Sequence, residues 1–246
     1  MNADGRGCAP SDRKDFSEES MALLRQAERH LCYLLNEGYD AGKAVEFIGN
    51  HFLLSSRQRL ALLRTAASDS ALQQRRRTRR CAADMKGASV FIDGFNQIIT
   101  AEILVSGGLL LAGMDGTIRD LAGLHGTYRI IDCTMPAIRL ILHRLEDLQV
   151  SSAVFVLDRP VSNSGRLKQA ILEAGREVSF PAAAEVMDQV DSFLIAQPLV
   201  ITSDSAILDA CSGWYCLMPD LLSLKATAAL QFDAEAGPDC ARMEGN

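Results

Sequence analysis

The feature that most constrains what this chain can fold into is a short apolar run closed by an acid, repeated four times. Ser89-Val90-Phe91-Ile92 ends in Asp93, and Tyr128-Arg129-Ile130-Ile131 ends in Asp132. Ala153-Val154-Phe155-Val156-Leu157 ends in Asp158, and Leu199-Val200-Ile201-Thr202 runs into Ser203-Asp204. A run this short and this continuously apolar reads as a strand buried on both faces of a parallel sheet. Helical stripes fall between the runs, over residues 136–148, 164–174 and 183–196. Strand and helix in alternation predict an α/β domain. Residues 177–180 are a weaker strand candidate, and residues 214–217 fit a late edge strand. Residues 98–113 fit either a helix after Asn96 or a hairpin turning at Ser106-Gly107-Gly108. The hairpin is preferred, because Leu109-Leu110-Leu111 follows the glycine pair at once. Asp115-Gly116 then predicts a turn before a short helix at 118–121.

The region before the first run has a different period. Leu23, Leu24, Ala27, Leu31, Leu34 and Leu35 recur at three- and four-residue steps, an amphipathic helix stopped by Gly38. A second short helix carries Val45 and Ile48. A third follows Ser55-Ser56-Arg57-Gln58, where Ser55 caps and Gln58 reaches back. Three short helices bury little core alone, so this unit is expected to dock on the next domain. The expected organisation is a disordered tail at 1–16, a helical domain at 17–74, a basic linker at 75–87, the α/β domain at 88–225 and a tail at 226–246.

Charge divides the chain the same way. Residues 1–87 hold 15 Lys and Arg against 11 Asp and Glu, whereas residues 88–246 hold 10 against 20. Five arginines crowd into residues 75–80. They make either a solvated linker or a strip that contacts phosphates. No basic-then-apolar leader is visible, and no stretch of about 18 apolar residues exists, so a cytoplasmic protein without a membrane partner is expected. Seven cysteines without a CxxC pair read as reduced thiols.

The acids carry the chemistry. In an open α/β sheet, ligands bind outside the carboxyl ends of the strands. Asp93, Asp132, Asp158 and Asp204 are therefore expected to gather on one edge, where they repel one another. Hard divalent cations, Mg²⁺ or Mn²⁺, are the natural partners of such a set. The polar loop from Asp158 to Gly165 offers Ser162, Asn163 and Ser164 to phosphate oxygens, or is a plain capped loop. Arg119 meets a phosphate or pairs with Asp115 or Asp120. His125 and His143 stand alone, and each reads more readily as a structural histidine than as a base.

Two of these segments resemble a known family. Phe91-Ile92-Asp93-Gly94-Phe95-Asn96 resembles the first strand of PIN-like and NYN-type nuclease domains, which carry a strand, an Asp and, two or three residues later, an Asn. Val200-Ile201-Thr202-Ser203-Asp204-Ser205-Ala206-Ile207-Leu208 resembles their late strand, with Thr or Ser before the Asp. Asp191-Ser192-Phe193-Leu194-Ile195 is similar to the helix that supplies a further metal-side acid, and Asp158 to the middle-strand acid. The resemblance covers about residues 88–225. It implies a Rossmann-like parallel sheet and Mg²⁺- or Mn²⁺-dependent phosphodiester hydrolysis, usually of RNA. It also implies Asp93, Asp158 and Asp204 as metal ligands, with Asp191 adding a ligand directly or through water. Asp188 competes for that place, since a three-residue step puts both on one helical face. Asn96 would orient the phosphate or the attacking water, or only stabilise a turn. Ser203 would bond a phosphate or a neighbouring acid, or only cap a helix. The chain as a whole resembles an uncharacterised prokaryotic family in which a small helical domain precedes such a module.

Several enzyme classes fail on their motifs. A haloacid-dehalogenase phosphatase needs Asp-x-Asp after strand one, and the second acid is replaced by Phe95. GxGxxG, a Walker Gly-Lys-Ser/Thr and Gly-x-Ser-x-Gly are all absent. The remaining rival is a non-catalytic module that binds RNA or a protein partner. Self-association is compatible with the pattern and not specified by it.

Overall fold

The computed structural model describes residues 6–123, 126–225 and 230. The N-terminal unit comprises α1 (Asp12–Asp15), α2 (Glu18–Asn36), α3 (Ala41–His51), α4 (Ser56–Thr65) and α5 (Asp69–Thr78). Ser55 and Gln58 close a capping box at the start of α4, as their spacing predicts. Met21, Leu24, Ala27 and Leu31 of α2 pack on Val45, Ile48 and Leu62. The α/β domain follows with β1 (Ser89–Asp93), α6 (Gly94–Ser106), β2 (Leu110–Ala112), β3 (Ile118–Asp120), α7 (Thr134–Asp147), β4 (Ser152–Asp158) and α8 (Ser164–Ala174). It continues with β5 (Ala182–Met187), α9 (Val190–Ile195), β6 (Val200–Ile201), α10 (Ser205–Ala210), β7 (Trp214–Tyr215) and α11 (Met218–Leu224).

Five strands form one parallel sheet in the order β5-β4-β1-β6-β7, a Rossmann-like α/β fold with an N-terminal helical region. The runs at Val90, Ala153 and Val200 occupy its centre, and residues 214–215 form the expected late edge. One face carries α6, α7, α8 and α11 over Ile92, Phe155, Leu157 and Ile201. The other carries α9 and α10 over Val156, Val200 and Trp214. After β1 the chain builds outward through β4 to β5, then crosses back to lay β6 on the other side of β1. The strand order therefore reverses between β1 and β6, and such a switch point opens a crevice at the carboxyl ends.

The helical unit does dock, and it does so on the small antiparallel hairpin of β2 and β3, whose Leu111 together with Leu121 completes the unit's core. No helix among the described residues is long and apolar enough to cross a membrane.

Several expectations need correction. Residues 98–106 are helical, because α6 is buried on nearly every side and so shows no amphipathic stripe. Gly107, at φ +72°, is its left-handed C-cap, and the Gly108 N–H bonds back to Ile103 O at 2.8 Å. The glycine pair thus stops a helix. The hairpin lies one step later, and residues 118–120 are its second strand rather than a helix. Tyr128-Arg129-Ile130-Ile131 is not a strand. Tyr128 is buried for another reason, donating its hydroxyl to Glu102 at 2.6 Å. Residues 177–180 give way to β5 at Ala182. Its Ala-Ala-Ala-Glu-Val-Met sequence favours a helix locally, but six paired positions along β4 override that preference.

The described part of the expected N-terminal tail, and the expected linker, are also structured. Arg6 reaches buried Glu102 at 2.6 Å, and buried Asp12 pairs with Arg57, so residues 6–16 are part of the fold. The helix α5 runs through Thr78 and Arg79 bridges to Trp214, so residues 75–79 are not a linker. His125, Cys240 and, apart from Leu230, the segment 226–246 lie outside the described residues. The cysteines that are described are free thiols.

Candidate functional site: an acidic mouth at the switch point

Strand register decides which acids can meet. Asp93 pairs with Val156, and Phe91 pairs with both Val154 and Val200. Side chains alternate faces along a strand. Asp93, Asp158 (two residues past Val156) and Thr202 (two past Val200) therefore project from one face, the face covered by α9 and α10. Asp191 stands in the first turn of α9, and Asp204 caps α10 by accepting from Ala206 N at 2.8 Å. Asp93 and Asp158 are half-buried, whereas Asp191 and Asp204 are exposed. Gly94 lets α6 start directly against β4. A Cβ there would lie 2.5 Å from the Leu157 side chain and 2.8 Å from Val156 O.

Electrostatics record the crowding. Burial, together with the charges of Asp204, Asp191 and Asp158, pushes Asp93 up to about 7, against the lowering pull of its hydrogen bond from Thr202. Burial and then the Asp191 charge raise Asp158, and burial and then the Asp204 charge raise Asp191. These are four mutually repelling carboxylates.

The turn between β6 and α10 is tied to β1 and α6. Thr202 Oγ1 donates to Asp93 Oδ2 at 2.8 Å and accepts from Asp204 N at 3.0 Å. Asn96 Oδ1 accepts from Ser203 N at 3.1 Å, Ser203 Oγ at 2.8 Å and Gln97 Nε2 at 2.8 Å. With its oxygen engaged three times, the Asn96 amide is fixed in orientation.

The side chains of Arg119, Ser162, Asn163 and Ser203, expected to contact phosphate, are engaged elsewhere. Arg119 is buried and pairs with Asp115 at 2.7 Å, the second of its two sequence readings. Ser203 is held by Asn96. Ser162 Oγ accepts from Tyr128 N at 3.0 Å, and Asn163 Nδ2 donates to Tyr128 O at 2.7 Å, so this loop pins the 126–131 segment. Ser164 begins α8, with its N–H on Val161 O at 3.3 Å. Asp188 lies in the turn before α9 rather than on a shared helical face, and it pairs with Arg159 at 3.1 Å. Asp132 falls in the turn before α7 and closes no strand. His143 sits on α7, against the opposite face, 3.8 Å from Glu146.

The donor set is all oxygen, which is the chemistry Mg²⁺ and Mn²⁺ prefer. Its spacing is open: among the described residues no three carboxylate, imidazole or thiolate groups close on one point. The sequence pattern assigns no role to Thr202 or to Gln97. The signal for Thr202 was parity, since it stands two residues before Asp204 in a strand whose neighbour ends in Asp93.

The family model described as "Domain of unknown function (DUF5616)" matches residues 82–219, more than half of the chain. The chain belongs to this family. Every mouth residue lies within that DUF5616 span. A second model, "Protein of unknown function (DUF434)", matches residues 23–78 of the helical unit. The chain is also similar to "Uncharacterized protein MJ0935" of Methanocaldococcus jannaschii, 32% identical over 185 residues, which span 75% of this chain and 88% of that protein. No solved structure matches the chain.

Proposed function

We propose that this DUF5616 protein is a metal-dependent phosphodiesterase acting on RNA, with the acidic mouth as its site. The observation that carries the reading is that Asp93, Asp158, Asp191 and Asp204 stand around the β1/β6 switch point near enough for their charges to act on one another. Mg²⁺ or Mn²⁺ held there would supply a Lewis acid for a phosphate oxygen and for the attacking water. Asp93 and Asp158 would hold the ion from the strand ends. Asp191 and Asp204 are exposed and can swing inward, Asp204 keeping one oxygen on Ala206 N–H. Asn96 presents its amide NH₂ to a phosphate oxygen. Exposed Arg76, Arg77 and Arg80 would add phosphate contacts that carry no sequence information.

One observation favours a second reading, a non-catalytic binding module. The carboxylates do not close on one point, and Ser162, Asn163, Ser203 and Arg119 all serve internal contacts. Labelled RNA and single-stranded DNA, incubated in Mn²⁺ and in EDTA with wild type and Asp93→Asn, separate the two. Cleavage of RNA that EDTA and the substitution both abolish is the expected result. RNA retention without cleavage, equal in both proteins, would sink the catalytic reading in favour of the binding module.

A further inference from the structure

A second charged cluster lies behind the mouth. Asp115 is 5% exposed, Arg119 4% and Arg75 4%. Arg119 forks onto Asp115 at 3.0 and 2.7 Å, and Arg75 Nη1 reaches the same carboxylate at 2.6 Å. Thr117 Oγ1 donates to Asp115 at 2.6 Å. Arg75 makes a second fork onto Asp209 of α10 at 2.7 and 3.0 Å. Arg119 Nε then donates to Ser203 O at 2.8 Å, and its Nη2 donates to Ser205 Oγ at 3.2 Å.

The contacts thus run unbroken from the helical unit, through the β2–β3 hairpin, to the turn that carries Thr202 and Asp204. They begin inside the span matched by DUF434 and end inside that matched by DUF5616. Apolar residues could fill this space with no loss of stability, because desolvating three charges offsets most of their attraction. Apolar residues could not hold the Ser203 carbonyl. The hairpin is also shaped around the pair: a Cβ on Gly113 would lie 2.3 Å from Arg119 Nη1 and 2.8 Å from Asp115 Oδ1.

We infer that Arg75 and Arg119 are positioning residues. They fix the turn at 202–205 against Asp93 and Asn96, so that the helical unit completes the acidic mouth. The functional meaning of this brace rests on the metal-binding reading above. Its mechanical content does not.

The test uses the full chain with Arg75→Lys, Arg119→Lys and Gly113→Ala, and with Ile48→Val as a mildly destabilised control remote from the brace. Lysine keeps the charge but lacks the fork, and Gly113→Ala displaces the pair without altering a charge, should a lysine variant fail to fold. Two quantities are read: hydrogen exchange at the Ser203 and Asp204 amides, and affinity for Mn²⁺ alone by electron paramagnetic resonance. Removing the supports of metal ligands lowers affinity by about tenfold or more. That loss is expected in the brace variants, with faster exchange at 203–204 while β1 and β4 amides stay protected. Ile48→Val should move neither. Unchanged exchange at 203–204, or Mn²⁺ affinity within twofold of wild type where wild type binds, overturns the inference. If wild type binds no Mn²⁺, the metal reading fails, and exchange alone decides the brace.

Discussion

Two aspartates, Asp93 and Asp115, sit on either side of the same turn and experience opposite fields. At Asp115 burial works to raise the pKa. The Arg119 charge and fork, with Thr117 and the Arg75 charge, overcome it and hold the carboxyl well below the usual range. At Asp93 burial works the same way, and the neighbours are Asp204, Asp191 and Asp158, so the group rises to about 7. The chain has thus neutralised one buried carboxylate from within and surrounded the other with like charge. An internal partner makes a carboxylate part of the scaffold. Carboxylates left to repel one another take up a proton more readily or, under the proposed function, a cation from outside.

The comparison breaks most visibly at Asp115. Asp115→Asn should leave two buried arginines without their shared counter-charge and cost about 3–5 kcal/mol of stability. The depressed pKa means that this contribution is present above the unfolded pKa and is lost only as pH falls through the lower folded one. The deficit in urea unfolding should therefore be undiminished from pH 8 to pH 5. A deficit under about 1 kcal/mol, the scale of an exposed pair, would make Asp115 no different from a surface acid.

Asp93→Asn should act in the opposite direction. A raised carboxyl binds its proton more tightly in the folded state than in the unfolded one. Its stabilisation is full below the unfolded pKa, near 4, and is lost as pH rises through about 7. Wild type without metal should therefore lose stability between pH 4 and 7, and the variant should lose less. At pH 8 the variant should be roughly 2–4 kcal/mol more stable, given about 1.4 kcal/mol per pKa unit. Thermal melts across this range, with EDTA, read the difference. Adding Mn²⁺ at pH 8 should raise the wild-type Tm by mass action and leave the variant unmoved. Equal stability of both proteins at pH 8 would end the claim that the mouth is under repulsion.

Thr202→Val sharpens the contrast at a smaller scale. The hydroxyl donates to Asp93 and so favours its ionised form. A hydrogen bond to a charged group is worth about 1.5–3 kcal/mol, a neutral one about half that. The loss should therefore be larger at pH 8 than at pH 5, the reverse of the pattern for Asp93→Asn. A pH-independent loss would mean that Thr202 serves only Asp204 N–H.

Much of this arrangement was legible because strand ends are. Asp93, Asp158 and Asp204 each close a continuous apolar run, and a parallel sheet brings such ends to one edge whatever the connections do. Asp132 closes a similar run and does not join them, because Tyr128 is buried by its hydroxyl's bond to Glu102 rather than by a sheet. Local pattern cannot distinguish the two. The helix α6 and the strand β5 escape the local pattern for related reasons: one has no polar face, and the other is helix-prone alanine held by its neighbour. The brace was half visible. Arg119 and Asp115 lie four residues apart, and their pairing was one of two readings. Arg75 is forty residues from Asp115 and 134 from Asp209, and only the tertiary fold brings them together.

The arginine run of residues 75–80 repeats the comparison within six residues. Arg75 is buried, forked on Asp209 and bonded once to Asp115, and Arg79 lies half-buried over the Trp214 ring at 5.4 Å. Arg76, Arg77 and Arg80 are exposed. The bond from Arg80 to Ser212 O, at 3.3 Å, is a weak surface contact. The run is thus neither a linker nor a uniform strip: two members serve the fold and three remain for solvent or for a polyanion. The helix α5 packs on α10, where Arg75 pairs with Asp209 near the C-terminal end, and Asp204 caps the other end of that helix. Replacing Arg76, Arg77 and Arg80 with Gln should change stability by no more than about 0.5 kcal/mol, as for surface residues generally. It should weaken single-stranded RNA binding and flatten the log–log salt dependence by about 2, since each phosphate of a single strand contributes about 0.7. Mn²⁺ affinity should not move, in contrast to Arg75→Lys. An unchanged salt slope would show that the three exposed arginines contact solvent alone and that RNA, if bound, lies elsewhere.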